Sequence, residues 1–251
     1  MPWWDDQNIK IRMNNYFDNG YNTAVQAENE MTLQRYVASV MRKVYGKMTL
    51  GLLVTALTSF LILSSPAVMN VFLGSKILFF GAFIVELGIV FYLSARIDKL
   101  NTGTATLLFY LYSMLNGVVL TPILLVYTGT SIATTFAITA GTFGAMTIFG
   151  YVTRQDLSKI GSYLFMALLG LIVCLIVNMF LRNSMFDLMI SCIGVLIFVG
   201  LTAWDTQAIK RMAAEADQTT TGKVATMGAL MLYLDFINLF IYLLRLFGSR
   251  D

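Results

Sequence analysis

Residues 232–248 read LYLDFINLFIYLLRLFG. A run this apolar reads as a helix crossing a bilayer, which takes about 20 predominantly apolar residues. Yet Asp235 stands inside it, between Leu234 and Phe236. An ionised aspartate at the centre of a membrane helix costs about 2.5–3.5 kcal/mol on insertion scales, so the carboxylate needs a reason. Its own helix supplies the first part. Asp235, Asn238, Tyr242 and Arg245 are spaced by 3, 4 and 3 residues. At about 100° per residue they share an arc of about 80°. That polar stripe must face protein or water, while leucines and phenylalanines cover the rest. Such a helix suits the centre of a bundle better than its edge.

The remainder of the chain agrees with a membrane setting. Hydrophobic residues make up 57% and charged residues 12%, where a soluble domain carries about a quarter charged. Seven apolar runs are long enough to span, near 45–65, 76–97, 103–127, 131–152, 162–181, 186–208 and 224–248. Hydrocarbon offers no water to a bare backbone, so runs of this length are expected as helices. The expected fold is an all-α polytopic membrane protein with seven transmembrane helices in residues 45–251. Residues 1–30 are polar and expected as a mobile tail, in which Trp3 and Trp4 would touch a membrane surface or do nothing. Residues 31–44 place Leu33, Tyr36, Val37, Val40, Met41 and Val44 at helical spacing. They are expected either as an amphipathic helix lying in the interface or as a continuation of the first span. The first 44 residues lack the early apolar core of a cleavable signal. In the fourth span, Gly141 and Ala145 form a small-xxx-small pair suited to close helix approach. Pro122 in the third span would free a carbonyl, which Asn116 could help satisfy.

Charge distribution sets orientation and excludes partners. The tail and the second, fourth and sixth connections hold thirteen of the seventeen basic residues. Lys76, Arg182, Arg245 and Arg250 fall on the other side. The N-terminus is therefore expected in the cytoplasm and the C-terminus outside. A net charge of +3 is too small to suggest a nucleic-acid partner. There is no histidine, which removes histidine-dependent hydrolase, zinc and haem chemistry. Any pH response near neutrality must then come from carboxylates in unusual surroundings. Cys174 and Cys192 lie in apolar runs and are expected as core-filling thiols.

Three acids fall within apolar runs: Glu86 on the second span, Asp205 on the sixth and Asp235 on the seventh. Asp205 lies about 7 Å before Lys210, and Asp235 about 12–18 Å into the last span. These depths differ by one to two turns, so spacing leaves a meeting of the two open. If adjacent, they would share a proton. Arg96 closes the second span and is a counter-ion for Asp205 or a solvated anchor.

At these residues the chain resembles a known family. LTAWDTQAIK (201–210) and LYLDFINLFIYLLRLFG look like the paired C-terminal signatures of the Bax inhibitor-1, or transmembrane Bax inhibitor motif, family. VMRKVYGKMTLGLLVTAL and ELGIVFYLSARI at the first two spans look like it too. The resemblance covers roughly 33–249 and points to a prokaryotic-type member. It implies a last helix wrapped by the other six. It implies a di-aspartyl centre of Asp205 and Asp235 acting as proton sensor and gate of a pH-sensitive calcium leak, with Arg96 as latch. Glu86 matches an acidic position of the second span, and with Asn238 and Tyr242 it is assigned to the ion path.

Calcium would travel as cargo over carboxylate and carbonyl oxygens, with Asp205 and Asp235 as its ligands and no resident cofactor. An intramembrane aspartyl protease is disfavoured, because the second aspartate lacks a preceding Gly-x-Gly and no proline is followed by Ala-Leu. The chain is expected not to be an enzyme. The alternative is a regulator of a membrane protease or of a cell-death or stress partner. The expected partners are the lipid bilayer, calcium, protons and such a membrane protein. The expected location is a bacterial inner membrane.

Overall fold

The computed structural model describes residues 6–217 and 219–250. The expectation for Trp3 and Trp4 falls outside them. The helices are α1 (Asp6–Ser64), α2 (Pro66–Gly74), α3 (Lys76–Arg96), α4 (Thr102–Leu124), α5 (Gly129–Val152), α6 (Ser158–Leu181), α7 (Ser184–Glu215) and α8 (Thr221–Phe247). A short 3₁₀ turn, Ile97–Lys99, follows α3. Seven segments are long and apolar enough to cross a membrane: Glu28–Ser64, Lys76–Lys99, Thr102–Leu124, Gly129–Val152, Ser158–Leu181, Ser184–Glu215 and Thr221–Phe247. The seven expected runs correspond to these one by one. The first connection holds the unforeseen α2, started by Pro66 at its first position, where a missing N–H costs nothing.

The chain divides into two compact units, Met1–Ser39 and Val40–Asp251. In the first, helical from Asp6, Thr32 Oγ1 donates to Glu28 O and Ser39 Oγ to Tyr36 O, so both hydroxyls are satisfied by their own helix. In the second, Val40, Met41 and Val44 are buried while Arg42 and Lys43 are exposed.

Within the second unit α8 packs on α7, α5 and α4; α6 and α5 pack on α7, and α3 packs on α4. The last span is the most buried of the seven, at 72% of its apolar window against 44% for the next. The outer faces of the others carry Phe91, Phe180 and Leu196, exposed as lipid-facing side chains should be. Lys47 on α1 reaches inward, and its Nζ donates to Thr106 Oγ1 on α4 and Thr226 Oγ1 on α8, each at 2.6 Å.

Two small-residue expectations shift. Gly141 and Ala145 are exposed, and nothing lies near Gly141. The close approach occurs one face over, at Gly150, whose missing Cβ leaves room for the Ala203 carbonyl of α7. Cys192 is exposed and Cys174 half-exposed, both as free thiols, so neither fills the core.

The turn into α8 is organised by Asp217. Its Oδ1 accepts from Thr219 Oγ1, Thr220 Oγ1 and the Thr220 N–H, each at 2.8 Å. These bonds, the two hydroxyls foremost, pull the carboxyl down to about 2. A depressed carboxylate adds stability above its unfolded value of about 3.9, and that contribution is lost as pH falls through about 2. Thermal midpoints of wild type and Asp217→Asn should therefore differ at neutral pH and converge toward pH 2. A gap that persisted at pH 2 would place the effect elsewhere than in the charge.

Candidate functional site

Asp205 sits on α7 in a stretch where Leu201, Thr202, Ala203, Thr206 and Ile209 are also buried. The neighbouring hydroxyls are spoken for: Thr202 Oγ1 donates to Phe198 O and Thr206 Oγ1 to Thr202 O, both at 2.7 Å. Asp235 sits on α8, only 4% exposed, and Asp205 is 8% exposed. The two carboxyls are close neighbours across the two helices, placed to share a hydrogen bond. Such a bond needs an O–H donor, so it forms only while one of the pair carries a proton. Asp205 Oδ1 and Asp235 Oδ2 are buried without partners. Among the described residues no three acidic or cysteine side chains converge into a metal cluster. The pair thus leaves two buried carboxyl oxygens without a protein partner where α7 packs on α8.

The polar stripe of α8 faces α7 along most of its length. Beyond Asp235, the Tyr242 ring stacks on Phe198 at 5.8 Å and 26° and lies against Gly194. Arg245 meets Asp187 with Nη1–Oδ1 of 3.4 Å. Asn238 is half-buried, and its Nδ2 donates to Leu234 O on its own helix at 2.8 Å. The seam between α7 and α8 thus runs from the carboxyl pair, past an aromatic stack, to an ion pair at the α7 N-terminus.

Glu86 is not part of that seam. Asn116 Nδ2 donates to Glu86 Oε1 at 2.5 Å, and Asn116 Oδ1 accepts from Tyr233 O–H at 3.0 Å. The Tyr112 hydroxyl approaches the same carboxyl. Tyr233 Oη also bonds Thr55 Oγ1 at 2.6 Å, and Thr55 Oγ1 in turn lies 2.8 Å from Ser113 O. This second centre joins α1, α3, α4 and α8. Tyr233 and Asp235 are two residues apart and so point about 200° apart around α8. Asn116 therefore bridges Glu86 to Tyr233 rather than tending the carbonyl freed by Pro122. Tyr112, Tyr233 and Thr55 escaped the sequence reading, which counted acids; hydroxyls embedded in apolar runs were the available signal. Arg96 is exposed at the end of α3, and no ion pair joins it to either aspartate.

Residues 37–251 match the family model described as inhibitor of apoptosis-promoting Bax1. The inner membrane protein YbhL of Escherichia coli (strain K12) is 48% identical over 221 residues, covering 87% of this chain and 93% of that protein. An uncharacterized protein of Borreliella burgdorferi is 43% identical over 212 residues, 84% of this chain and 91% of its own. The uncharacterized protein RP147 of Rickettsia prowazekii is 42% identical over 221 residues, with 87% and 91% covered. With the match running from within α1 past the end of α8, and both paired aspartates inside it, the chain is an integral membrane protein belonging to the Bax inhibitor-1 family.

Proposed function

We propose that this chain is a pH-sensitive calcium leak in which Asp205 and Asp235 sense protons and gate the seam between α7 and α8. The observation that carries the reading is the pair itself: two buried carboxyls, close neighbours where α7 and α8 pack. While joined, the pair needs one proton. Losing it sets two negative charges side by side in a poorly screened interior, and they repel. The parted oxygens are hard donors suited to Ca²⁺, which passes as cargo. The stacked Phe198 and Tyr242 bar the way toward the ion pair of Asp187 and Arg245. Asn238 and Tyr242 line the ion path, and Glu86 holds a separate polar contact with α8. Arg96, exposed in this conformation, neutralises an aspartate only once the pair has parted. The role is transport rather than catalysis. The membrane is a bacterial inner membrane, as the name of the Escherichia coli relative suggests, with the N-terminus cytoplasmic.

Calcium flux into liposomes holding the purified protein, followed across a pH series, tests the gate. Wild type should show flux that depends on pH, and Asp205→Asn and Asp235→Asn should each flatten the profile. A pH profile unchanged in both variants would sink the di-aspartyl gate. The family description as an inhibitor supports a second reading, in which the chain modulates a membrane partner. Deleting residues 1–30 separates the two: a regulator acting through them loses its cellular phenotype while flux persists.

A further inference from the structure

Three of the four basic residues on the C-terminal face are not scattered. Arg182, Arg245 and Arg250 line one cavity of about 330 Å³ at the ends of α6, α7 and α8. Retention of cations on the cytoplasmic side accounts for thirteen of the seventeen basic residues and not for these three. Among the described residues one carboxylate, Asp187, lines the cavity with them. It meets Arg245 through a single partly exposed contact of 3.4 Å. Among the described residues, Arg182 and Arg250 have no carboxylate partner.

All three arginines are held in place. Arg182 adopts φ 51°, the one positive φ of a non-glycine among the described residues, where glycine or asparagine is favoured. Its N–H donates to Asn178 O at 2.7 Å, and Asn183 N–H donates to Asn178 Oδ1 at 3.1 Å. Arg250 stands one residue from the end of the chain, yet its segment is pinned. Thr128 N–H donates to Ser249 O at 3.1 Å, and Ser249 N–H donates to Ser131 Oγ at 2.9 Å. The Arg250 guanidinium rests over the Tyr127 ring at 5.7 Å, and that of Arg245 over Tyr242 at 5.8 Å. Ser184, the first residue of α7, also lines the cavity, so the positive end of that helix adds to the field.

We propose that this cavity binds a phosphate group, either free phosphate or the phosphodiester of an anionic lipid headgroup. Three guanidinium forks around one space match the several oxygens of a phosphate and supply the charge that one carboxylate leaves unbalanced. The bound anion also competes with Asp187 for Arg245. Occupancy is thereby linked to the contact between α7 and α8 at the far end of the seam from the aspartates.

Two probes and two variants test the site. Inorganic phosphate is titrated calorimetrically into the full chain in detergent. Retention of phosphatidylglycerol is measured by native mass spectrometry from nanodiscs of phosphatidylcholine with and without it. Arg182→Gly and Arg250→Gln should each weaken whichever probe binds by about tenfold, the loss of a charge-assisted hydrogen bond. Arg182→Gly should do so while keeping or raising the thermal midpoint, because glycine relieves the left-handed backbone. Binding of phosphate in detergent identifies a free-anion site; retention of phosphatidylglycerol alone identifies a headgroup site, and both uphold the proposal. Equal binding of each probe to wild type and to the Arg182→Gly, Arg250→Gln double variant, or no binding to either, overturns it.

Discussion

Replacing Asn116 by leucine is expected to lower the stability of the helical bundle by about 2–4 kcal/mol, measured as reversible unfolding in detergent. Leucine keeps the heavy-atom branching of asparagine, so the polar loss outweighs its modest gain in bulk. What goes is a donor and an acceptor in one step. Asn116 Nδ2 donates to Glu86 Oε1 and its Oδ1 accepts from Tyr233 O–H. A buried polar group left without its partner costs about 1–3 kcal/mol, more when charged. Tyr233 keeps its bond to Thr55 and Glu86 keeps the approach of Tyr112, which holds the sum below the full penalty for two orphans. Glu86→Gln, which preserves an acceptor for Asn116, should cost much less. A loss below about 1 kcal/mol for Asn116→Leu would mean that the four helices are not tied through this centre.

The second large effect lies at the crossing of α5 and α7. A Cβ at Gly150 would collide with the Ala203 carbonyl oxygen and its backbone carbon. Backbone cannot swing aside as a side chain tip can, so Gly150→Leu must push the two helices apart. Overpacking a tight contact costs about 1–3 kcal/mol, occasionally more, and here it acts at Ala203, about half a turn from Asp205. Gly150→Leu should therefore lower the thermal midpoint and alter calcium flux together. Gly141→Leu, on the same helix with open space around it, should change neither. Equal behaviour of the two variants would remove the close approach from α5 and α7.

The contrast between these glycines shows what the sequence could carry. The number of spans was legible, because a membrane helix announces itself by length and apolarity, but the first and sixth run past their expected limits, to Glu28–Ser64 and Ser184–Glu215. Rotation was less so. On α5 the exposed face is as apolar as the buried one, and periodicity cannot choose between Gly141 and Gly150 when lipid and protein core look alike. The stripe on α8 was readable for the opposite reason: its polar members contrast with lipid, and Asp235, Tyr242 and Arg245 do meet α7. The meeting of Asp205 with Asp235 stayed open because depth was measured from Lys210. That lysine reads as the edge of water, yet α7 continues to Glu215. Counted from the helix ends, the two aspartates differ by about one turn. Glu86 was visible and so was Asn116, though with a different partner, while Tyr112 and Tyr233 were not, since a tyrosine in an apolar run carries no charge to count.

The two polar centres on opposite sides of α8 have a mechanical consequence. Tyr233 is bonded toward α1 and α4, and Asp235 toward α7. A turn of α8 about its own axis in either direction would strip both sets of bonds at once, like a shaft keyed on two sides. Parting the aspartates while keeping the Tyr233 centre intact requires α8 to stay still and α7 to move. α7 carries α6 on its flank, α5 at Gly150 and Asp187 at its tip, so the mobile half of the proposed gate is α7 together with the helices packed on it, swinging against a fixed post.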